Sequence, residues 1–409
     1  MTTTTQPAQI PRPSAPGPGS GSGGAPNRPG PASRPLLKRI FTRVRPALAV
    51  YAVTAALHLA VLSAMAGAGD GPGLRDRLLS WDGILYVDIA RDGYPDSFSY
   101  TEDGRLTGNN LAFFPLFPML IRAVHLLTGL SHKTAGIVAA HLALIAALVV
   151  VHELIGRLHG RRTATVALVL LAGAQPMALS FFMSYSESLF LALAAGTLLA
   201  AHRGAWLTAG ALAFLAGLTR PAAAAVALAL AVAVGLHLLR ERRVAARPVA
   251  ALALACAGTP LYLWWVGHRL GEPDAWFTLQ RAGWGTRWDN GGAFLTFLGD
   301  ALGHDAGWVP VSTAVLLLAL ICATVIAWRR DAWPPLLVYG TGIVVLTLAQ
   351  SNYSHSKLRL LIPAVVFLVP AARALAGART RTAVITLAAA TLFGCWYGAH
   401  MLTVWRYAI

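Results

Sequence analysis

Apolar runs of about 20 residues recur along most of the chain, and short polar joints separate them. Runs of this length are typical of membrane-spanning α-helices. The pattern therefore predicts an all-α, polytopic membrane protein with about eleven transmembrane helices. These lie near residues 47–66, 134–155, 163–182, 185–202, 205–219, 221–239, 247–267, 307–328, 334–350, 358–375 and 382–402.

One further apolar segment, residues 111–129, is ambiguous because it carries Pro115, Pro118 and the mid-segment Arg122. If this segment spans, the later basic joints "HGRRT", "RERRVAAR", "WRRD" and "GARTRT" all face outward. If it lies in the interface, all four joints face the cytoplasm, as the positive-inside rule requires. We therefore expect an interfacial segment.

Composition agrees with a lipid-embedded chain. Of the 409 residues, 56% are hydrophobic and 12% charged, and the mean hydropathy is +0.58. A soluble protein carries about 25% charged residues. The net charge of +16 resides mainly in the joints, so it indicates membrane topology and no nucleic-acid partner.

The N-terminal residues 1–36 are rich in Pro, Gly and Ser, which predicts a disordered tail. Lys38, Arg39, Arg43 and Arg45 follow immediately before the first span and place this tail in the cytoplasm, where they can contact anionic membrane lipids. Residues 37–409 then form one transmembrane domain. Its two large extracytoplasmic loops are residues 67–133, with interfacial helices, and residues 268–306.

The carboxylates of the chain are concentrated in the first of these loops. Eight of the 17 lie between residues 70 and 103, namely Asp70, Asp76, Asp82, Asp88, Asp92, Asp96, Glu102 and Asp103. The predicted topology brings them to the same face as "SYSES", "TRP", "LQRAGWGTRWDN" and "SNYSHSKLR". One membrane surface thus collects most of the polar chemistry.

The stretch "WDGILYVDIARDGY" predicts an interfacial helix that begins near Asp82. Trp81 and Tyr86 would lie at headgroup depth, where they can contact a substrate. A carboxylate beside such an apolar surface is a candidate general base for a hydroxyl acceptor. The alternative is that Asp82 only caps the helix and that Asp88 belongs to a solvated face.

Four basic residues occur at the outer ends of spans: Arg220, His355, Lys357 and Arg359. Together they are candidate ligands for a lipid phosphate, for which the planar guanidinium of arginine is well suited. The alternative is that these long side chains reach the headgroups. Glu187 is a candidate partner of Arg220 or of a sugar hydroxyl, and a purely structural ion pair is the alternative.

In the second large loop, Gln280 and Trp284 combine an amide with an aromatic face, which suits a sugar ring and equally an interfacial anchor. We find no Walker A, GxGxxG or HExxH motif. Without a nucleotide site, transfer chemistry on the outer face requires a lipid-linked donor. We expect no cofactor and assign no metal ligand.

The ordered elements "WDGILYVDIARDGY", "NNLAFFPLFPMLIR", "PMALSFFMSYSESLFL" and "GLTRP" resemble the GPI mannosyltransferase 2 (PIG-V) family and its bacterial relatives, within the GT-C superfamily of polytopic glycosyltransferases. The resemblance covers roughly residues 80–225, and "AWFTLQRAGWG" more loosely. In the later segment the family usually has an Arg-Tyr pair, whereas Arg359 is followed here by Leu360.

The resemblance implies an inverting mannosyl transfer from polyprenyl-phosphate-mannose on the extracytoplasmic face, with Asp82 as general base and Asp88 as a nearby substrate contact. The composition resembles that of a high-GC bacterium, so we expect the bacterial plasma membrane and leave the acceptor open among glycolipid, glycan and protein. A transporter or flippase for a lipid-linked or acidic solute is the competing class, and a silent scaffold is a third.

Overall fold

The apolar runs fold into helices along the whole described chain. The computed structural model describes residues 36–67, 71–330, 333–405 and 407, with side chains from residue 43 onward. All but the last residue of the expected disordered tail, residues 1–36, lies outside the described residues. Residues 42–409 form one compact unit.

The first nine α-helices are α1 (Leu36–Gly67), α2 (Leu74–Arg77), α3 (Asp82–Asp92), α4 (Leu116–Thr128), α5 (His132–His159), α6 (Arg161–Val169), α7 (Glu187–His202), α8 (Trp206–Gly217) and α9 (Ala223–Glu241). The next eight are α10 (Ala246–Leu270), α11 (Ala275–Trp284), α12 (Gly292–Gly303), α13 (Trp308–Arg330), α14 (Pro334–Leu348), α15 (Lys357–Leu361), α16 (Leu368–Gly377) and α17 (Thr380–Thr403). Two short antiparallel pairs join β1 (Ser99–Tyr100) to β2 (Leu106–Thr107) and β3 (Arg287–Trp288) to β4 (Gln350–Ser351).

Six helices of the described chain are each long and apolar enough to cross a membrane: α1, α5, α9, α10, α13 and α17. A seventh candidate span is a pair of segments, Ser354–Leu361 and Val365–Gly377, bent by 78°. The predicted all-helical, multi-pass membrane fold is thus confirmed. Most of the remaining predicted spans correspond to shorter apolar helices such as α7, α8 and α14.

Two predicted spans are not continuous helices. Residues 163–182 form α6, then a π-helical turn at Leu170–Ala174 and a 3-10 helix at Ala178–Phe182. Residues 358–375 break after α15. Proline accounts for both breaks, because Pro176 and Pro363 have no N–H to continue the helical ladder.

The segment at 111–129, expected to be interfacial, forms the 13-residue helix α4. Such a helix is only about 20 Å long, shorter than the ~30 Å hydrocarbon core of a bilayer. Its length therefore favours the interfacial placement on which the predicted topology depends.

Close helix packing holds the bundle together beside the site. Helices α8 and α10 approach so closely that a Cβ on Gly217 would lie 2.9 Å from the Cα of Gly258. Small residues permit this backbone contact, which is a common way for helices to associate in lipid. The contact fixes the end of α8, from which the chain continues to Arg220.

The break after α6 leaves backbone carbonyl groups without helical partners, and polar side chains of neighbouring helices lie within hydrogen-bond distance of them. The ring nitrogen Nε2 of His58 lies 3.1 Å from the carbonyl oxygen of Ala172, and that of His141 lies 3.2 Å from the carbonyl oxygen of Phe182. Buried carbonyls freed by a broken helix need such partners. This arrangement places the buried segment before α7, which begins at Glu187, against α3, where Ser186 is hydrogen-bonded to Tyr86.

Candidate active site

A cavity of about 480 Å³ opens between α3, α11, the start of α9 and the segment 346–363. It contains most of the residues that the sequence had pointed to. Those that line it are Asp82, Tyr86, Arg220, Gln280, Trp284 and Arg359.

Asp82 occupies the first position of α3, so the predicted helix start is confirmed. The residue in the capping position is Trp81, whose φ of +57° lies in a region that side-chain-bearing residues seldom adopt. Asp82 is therefore not the helix cap. Its carboxylate is 23% exposed and faces the cavity, where Oδ2 lies 2.7 Å from Nη1 of Arg359.

Two carboxylates and two guanidiniums form a continuous charge network beneath the cavity. Glu187 Oε1 lies 2.7 Å from Nη1 of Arg220 and 3.6 Å from Nε of Arg359. The side chain of Glu187 is 2% exposed, that of Arg359 8% and that of Arg220 15%. Of the alternatives left open for Glu187, the structure shows the ion pair with Arg220.

The network keeps its cations charged although they are withdrawn from water. Burial acts to lower the pKa of Arg220, but the charge and hydrogen bond of Glu187 together with the neighbouring Tyr86 outweigh it, so the pKa is raised. Arg359 also lies over the ring of Tyr185, with its guanidinium carbon 4.9 Å from the ring centroid. The four charges sum to zero, and Arg287 adds a positive charge at the cavity wall. The cavity can therefore accept an added anion.

Aromatic side chains form the walls. Phe113 makes edge contacts with Tyr86 at 5.1 Å and with Trp284 at 5.3 Å between ring centroids. The phenol of Tyr86 is buried and hydrogen-bonded to Ser186 at 2.9 Å. Burial raises the pKa of Tyr86, so this group stays neutral. Such walls suit a sugar ring or a prenyl chain beside the charged floor.

Gln280 lies at the cavity wall on α11, as the loop composition suggested. Its Nε2 donates to the carbonyl oxygen of Ala112 at 3.2 Å, and Trp276 Nε1 donates to the same oxygen at 3.3 Å. These bonds attach α11 to the turn that follows the first-loop hairpin. The hydrogen bond to Ala112 thus fixes the Gln280 side chain and also holds α11 in place as a wall of the cavity.

Lys357, predicted to be a phosphate ligand, lies behind the wall of the cavity. Its ammonium is fully buried and donates to the carbonyl oxygens of Thr347 and Gln350 and to Oδ1 of Asn352, at 3.0, 2.8 and 2.7 Å. Lys357 is absent from the described lining of the cavity, whereas Thr347, Gln350 and Asn352 line it. The ammonium therefore fixes these three wall residues through hydrogen bonds from the side away from the cavity.

Three other predicted residues lie outside the described lining of this cavity. His355 lines a neighbouring cavity of about 380 Å³ and stacks on Tyr353. Asp88 pairs with Arg91 at 3.0 Å. The side chain of Trp81 is exposed.

The cavity also includes residues that sequence reasoning passed over. Asn352 and Ser356 belong to the polar run "SNYSHSKLR", and Phe113 and Phe114 to "AFFP". The clustering of polar residues within "SNYSHSKLR" indicates that this run belongs to the site, but it does not single out Asn352 and Ser356 from their neighbours. Among the described residues, no group of three or more His, Cys, Asp or Glu side chains is arranged to hold a metal ion.

Comparison with known proteins gives structural neighbours only. No family model matches the chain, and no curated protein matches it. Among solved structures, the fold is similar to ArnT from Cupriavidus metallidurans bound to undecaprenyl phosphate, with 17% sequence identity and a TM-score of 0.50. That alignment covers 83% of this chain and 62% of ArnT, so the chain spans less than two thirds of the length of that neighbour.

The archaeal oligosaccharyltransferase AglB from Archaeoglobus fulgidus, in complex with an inhibitory peptide and dolichol-phosphate, also aligns, over 90% of this chain and 56% of AglB. Its identity is 11% and its TM-score 0.47. The likeness to ArnT shows a shared multi-helix membrane fold.

Proposed function

We propose that this protein is an inverting glycosyltransferase that moves a mannosyl residue from a polyprenyl-phosphate donor to an acceptor hydroxyl on the extracytoplasmic face of the membrane. One observation carries the proposal: Asp82, Arg220 and Arg359 line one cavity whose other walls are aromatic. A base, two phosphate-binding cations and an apolar surface are the parts that such a transfer needs.

In the proposed reaction, the acceptor oxygen attacks the anomeric carbon from the face opposite the phosphate, and Asp82 takes the hydroxyl proton. The bond from oxygen to the anomeric carbon forms as the bond to the phosphate oxygen breaks. The departing polyprenyl phosphate carries the electron pair away. Positioning and charge stabilisation together supply the acceleration.

Arg220 and Arg359 stabilise the leaving phosphate in this proposal. Glu187 keeps both guanidiniums in place, because its Oε1 lies 2.7 Å from Arg220 and 3.6 Å from Arg359. Preorganised cations require little rearrangement as negative charge develops on the phosphate. Arg287 at the cavity wall supplies further positive potential during entry.

A lipid-linked donor is supported by the apolar walls and by the undecaprenyl phosphate bound to ArnT, the neighbour with the same fold. The predicted topology, with basic joints on the cytoplasmic side, supports the extracytoplasmic placement of the cavity. Mannose is the sugar implied by the resemblance of "WDGILYVDIARDGY" and "GLTRP" to the PIG-V family.

The donor class is tested with purified protein in lipid nanodiscs and a crude envelope glycolipid extract as acceptor source. Polyprenyl-phosphate-mannose, polyprenyl-phosphate-glucose and GDP-mannose are supplied in parallel, and released polyprenyl phosphate and labelled glycolipid are measured. We expect turnover with polyprenyl-phosphate-mannose alone. Turnover with GDP-mannose would contradict the lipid donor, and turnover with the glucosyl lipid alone would contradict mannose.

A further inference from the structure

A second cleft lies directly beside the catalytic cavity. It has a volume of about 500 Å³ and is formed by the end of α3, the β1–β2 hairpin, residues 108–110 and Trp284. Trp284 lines both the cleft and the cavity that contains Asp82. The cleft and the cavity are therefore adjacent, and the indole ring of Trp284 contributes to the lining of both.

The cleft and the cavity are also joined along one face of α3. Asp82 lines the cavity and Leu85 lines the cleft. Residues three apart on an α-helix share a face and are separated by about 4.5 Å along the axis. A molecule seated in the cleft beside Leu85 could extend one hydroxyl to Asp82.

The two spaces differ in charge. Among the described residues that line the cleft, Asp92 is the one charged side chain, and Arg91 neutralises it at 2.7 Å. The catalytic cavity instead presents Arg220 and Arg359. A phosphate is therefore stabilised in the cavity and not in the cleft.

The chemistry of the cleft suits a neutral polyhydroxyl compound. Tyr94 and Trp284 supply aromatic surfaces, and Ser99, Asn109 and Asn110 supply polar groups. The amide of Asn109 is used in framing the cleft, since its Nδ2 donates to Ser97 O and to Ser99 Oγ and its Oδ1 accepts from Leu111 N. The side-chain amide of Asn110 lines the cleft and makes no hydrogen bond within the described residues, so its donor and its acceptor are available to a ligand.

We infer that this cleft is the acceptor subsite and that it takes a neutral saccharide, whose reacting hydroxyl passes Trp284 to reach Asp82. The inference rests on the proposed glycosyl transfer and adds the chemical class of the acceptor. In this arrangement the phosphate of the donor and the sugar of the acceptor occupy separate spaces and meet at Asp82.

The test blocks the cleft without touching the catalytic cavity. Ser99→Trp fills the cleft, Asn110→Ala removes its unpaired amide, and Tyr100→Trp changes the adjacent, 62% exposed position as a matched control. Binding of the neutral disaccharide mannobiose to each protein in nanodiscs is followed by saturation-transfer NMR. Transfer from polyprenyl-phosphate-mannose to mannobiose is followed in parallel.

We expect Ser99→Trp to abolish mannobiose binding and Asn110→Ala to weaken it about tenfold, the effect of losing roughly 1.4 kcal/mol. Tyr100→Trp should bind as wild type, and the KM for the lipid donor should stay unchanged in all three variants. Mannobiose binding that survives Ser99→Trp unchanged would overturn the inference, as would absence of binding to wild type.

This readout separates the two claims, because binding requires no turnover. If the protein binds mannobiose in the cleft yet shows no transfer from any lipid donor, the proposed reaction fails and the saccharide site stands. If transfer occurs while Ser99→Trp leaves acceptor binding and KM unchanged, the reaction stands and the cleft assignment fails.

Discussion

The guanidinium of Arg359 lies 2.7 Å from the carboxylate of Asp82, although the two residues are 277 positions apart in the sequence. The same guanidinium also approaches Glu187 at 3.6 Å and stacks on Tyr185. Arg359 therefore connects the proposed base to the cations that would hold the leaving phosphate.

Replacing Arg359 by lysine should retain the charge but lose the planar geometry that serves both carboxylates and the Tyr185 ring. We expect Arg359→Lys to lower kcat by about 100- to 1,000-fold, the range found when a preorganised charge stabiliser is removed. The measurement is steady-state release of polyprenyl phosphate. Arg203→Lys, which alters the exposed pair with Glu153, is the control and should leave kcat unchanged.

Replacing Glu187 by glutamine should destabilise the fold, because two buried guanidiniums lose their shared partner. Breaking a buried ion pair on one side costs about 3–5 kcal/mol. Denaturant unfolding in detergent measures the change. Glu153→Gln is a matched control, since Glu153 also contacts two arginines, Arg157 and Arg203, in a more exposed setting.

Exposed pairs contribute about 0–1 kcal/mol, so Glu153→Gln should have little effect. Equal destabilisation by the two glutamine variants would contradict a special role for Glu187. Adding Arg220→Met to Glu187→Gln should restore part of the lost stability but none of the activity, since the unpaired charge is then removed.

Replacing Lys357 by methionine tests whether the ammonium organises the cavity wall or contacts the donor. Loss of its three hydrogen bonds leaves the buried carbonyl of Thr347 without this donor, at a cost of about 1–3 kcal/mol, and the half-buried acceptors of Gln350 and Asn352 without it at a smaller cost. We expect Lys357→Met to lower both unfolding free energy and kcat. A raised donor KM at unchanged stability would instead support the phosphate contact predicted from the sequence.

The position of Trp284 depends on a backbone contact between two glycines. A Cβ on Gly108 would lie 2.6 Å from the Cα of Gly283 and 2.7 Å from the Trp284 ring. Gly108→Ala should therefore displace α11 and destabilise the protein by about 1–3 kcal/mol, with loss of activity. Gly73→Ala, where nothing lies within 4 Å, is the control and should behave as wild type.

The hydrophobic pattern was sufficient to predict the membrane class, most helix positions and the start of α3 at Asp82, because these depend on local composition and periodicity. The breaks at Pro176 and Pro363 are local signals as well, but whether a proline kinks or ends a helix depends on its neighbours. The apolar runs around them concealed both breaks.

The charge network could be predicted only in part. Topology brought Asp82, Glu187, Arg220 and Arg359 to one surface and made Glu187 a candidate partner of Arg220, but it did not anticipate the pair of Asp82 with Arg359, because ion pairing depends on distances that only the packed helices set. Lys357 illustrates the limit: although it belongs to the polar run "SNYSHSKLR", its side chain turns inward to the carbonyls at the end of α14.

The central claim is that Asp82 is the general base, and a single-turnover assay tests it most directly. Wild type, Asp82→Asn and the exposed-loop control Asp103→Asn are loaded with polyprenyl-phosphate-mannose in nanodiscs, and release of polyprenyl phosphate is timed after acceptor is added. We predict that Asp82→Asn binds the donor but releases lipid phosphate about 10²- to 10⁴-fold more slowly, while Asp103→Asn matches wild type. Release by Asp82→Asn at the wild-type rate would contradict the account.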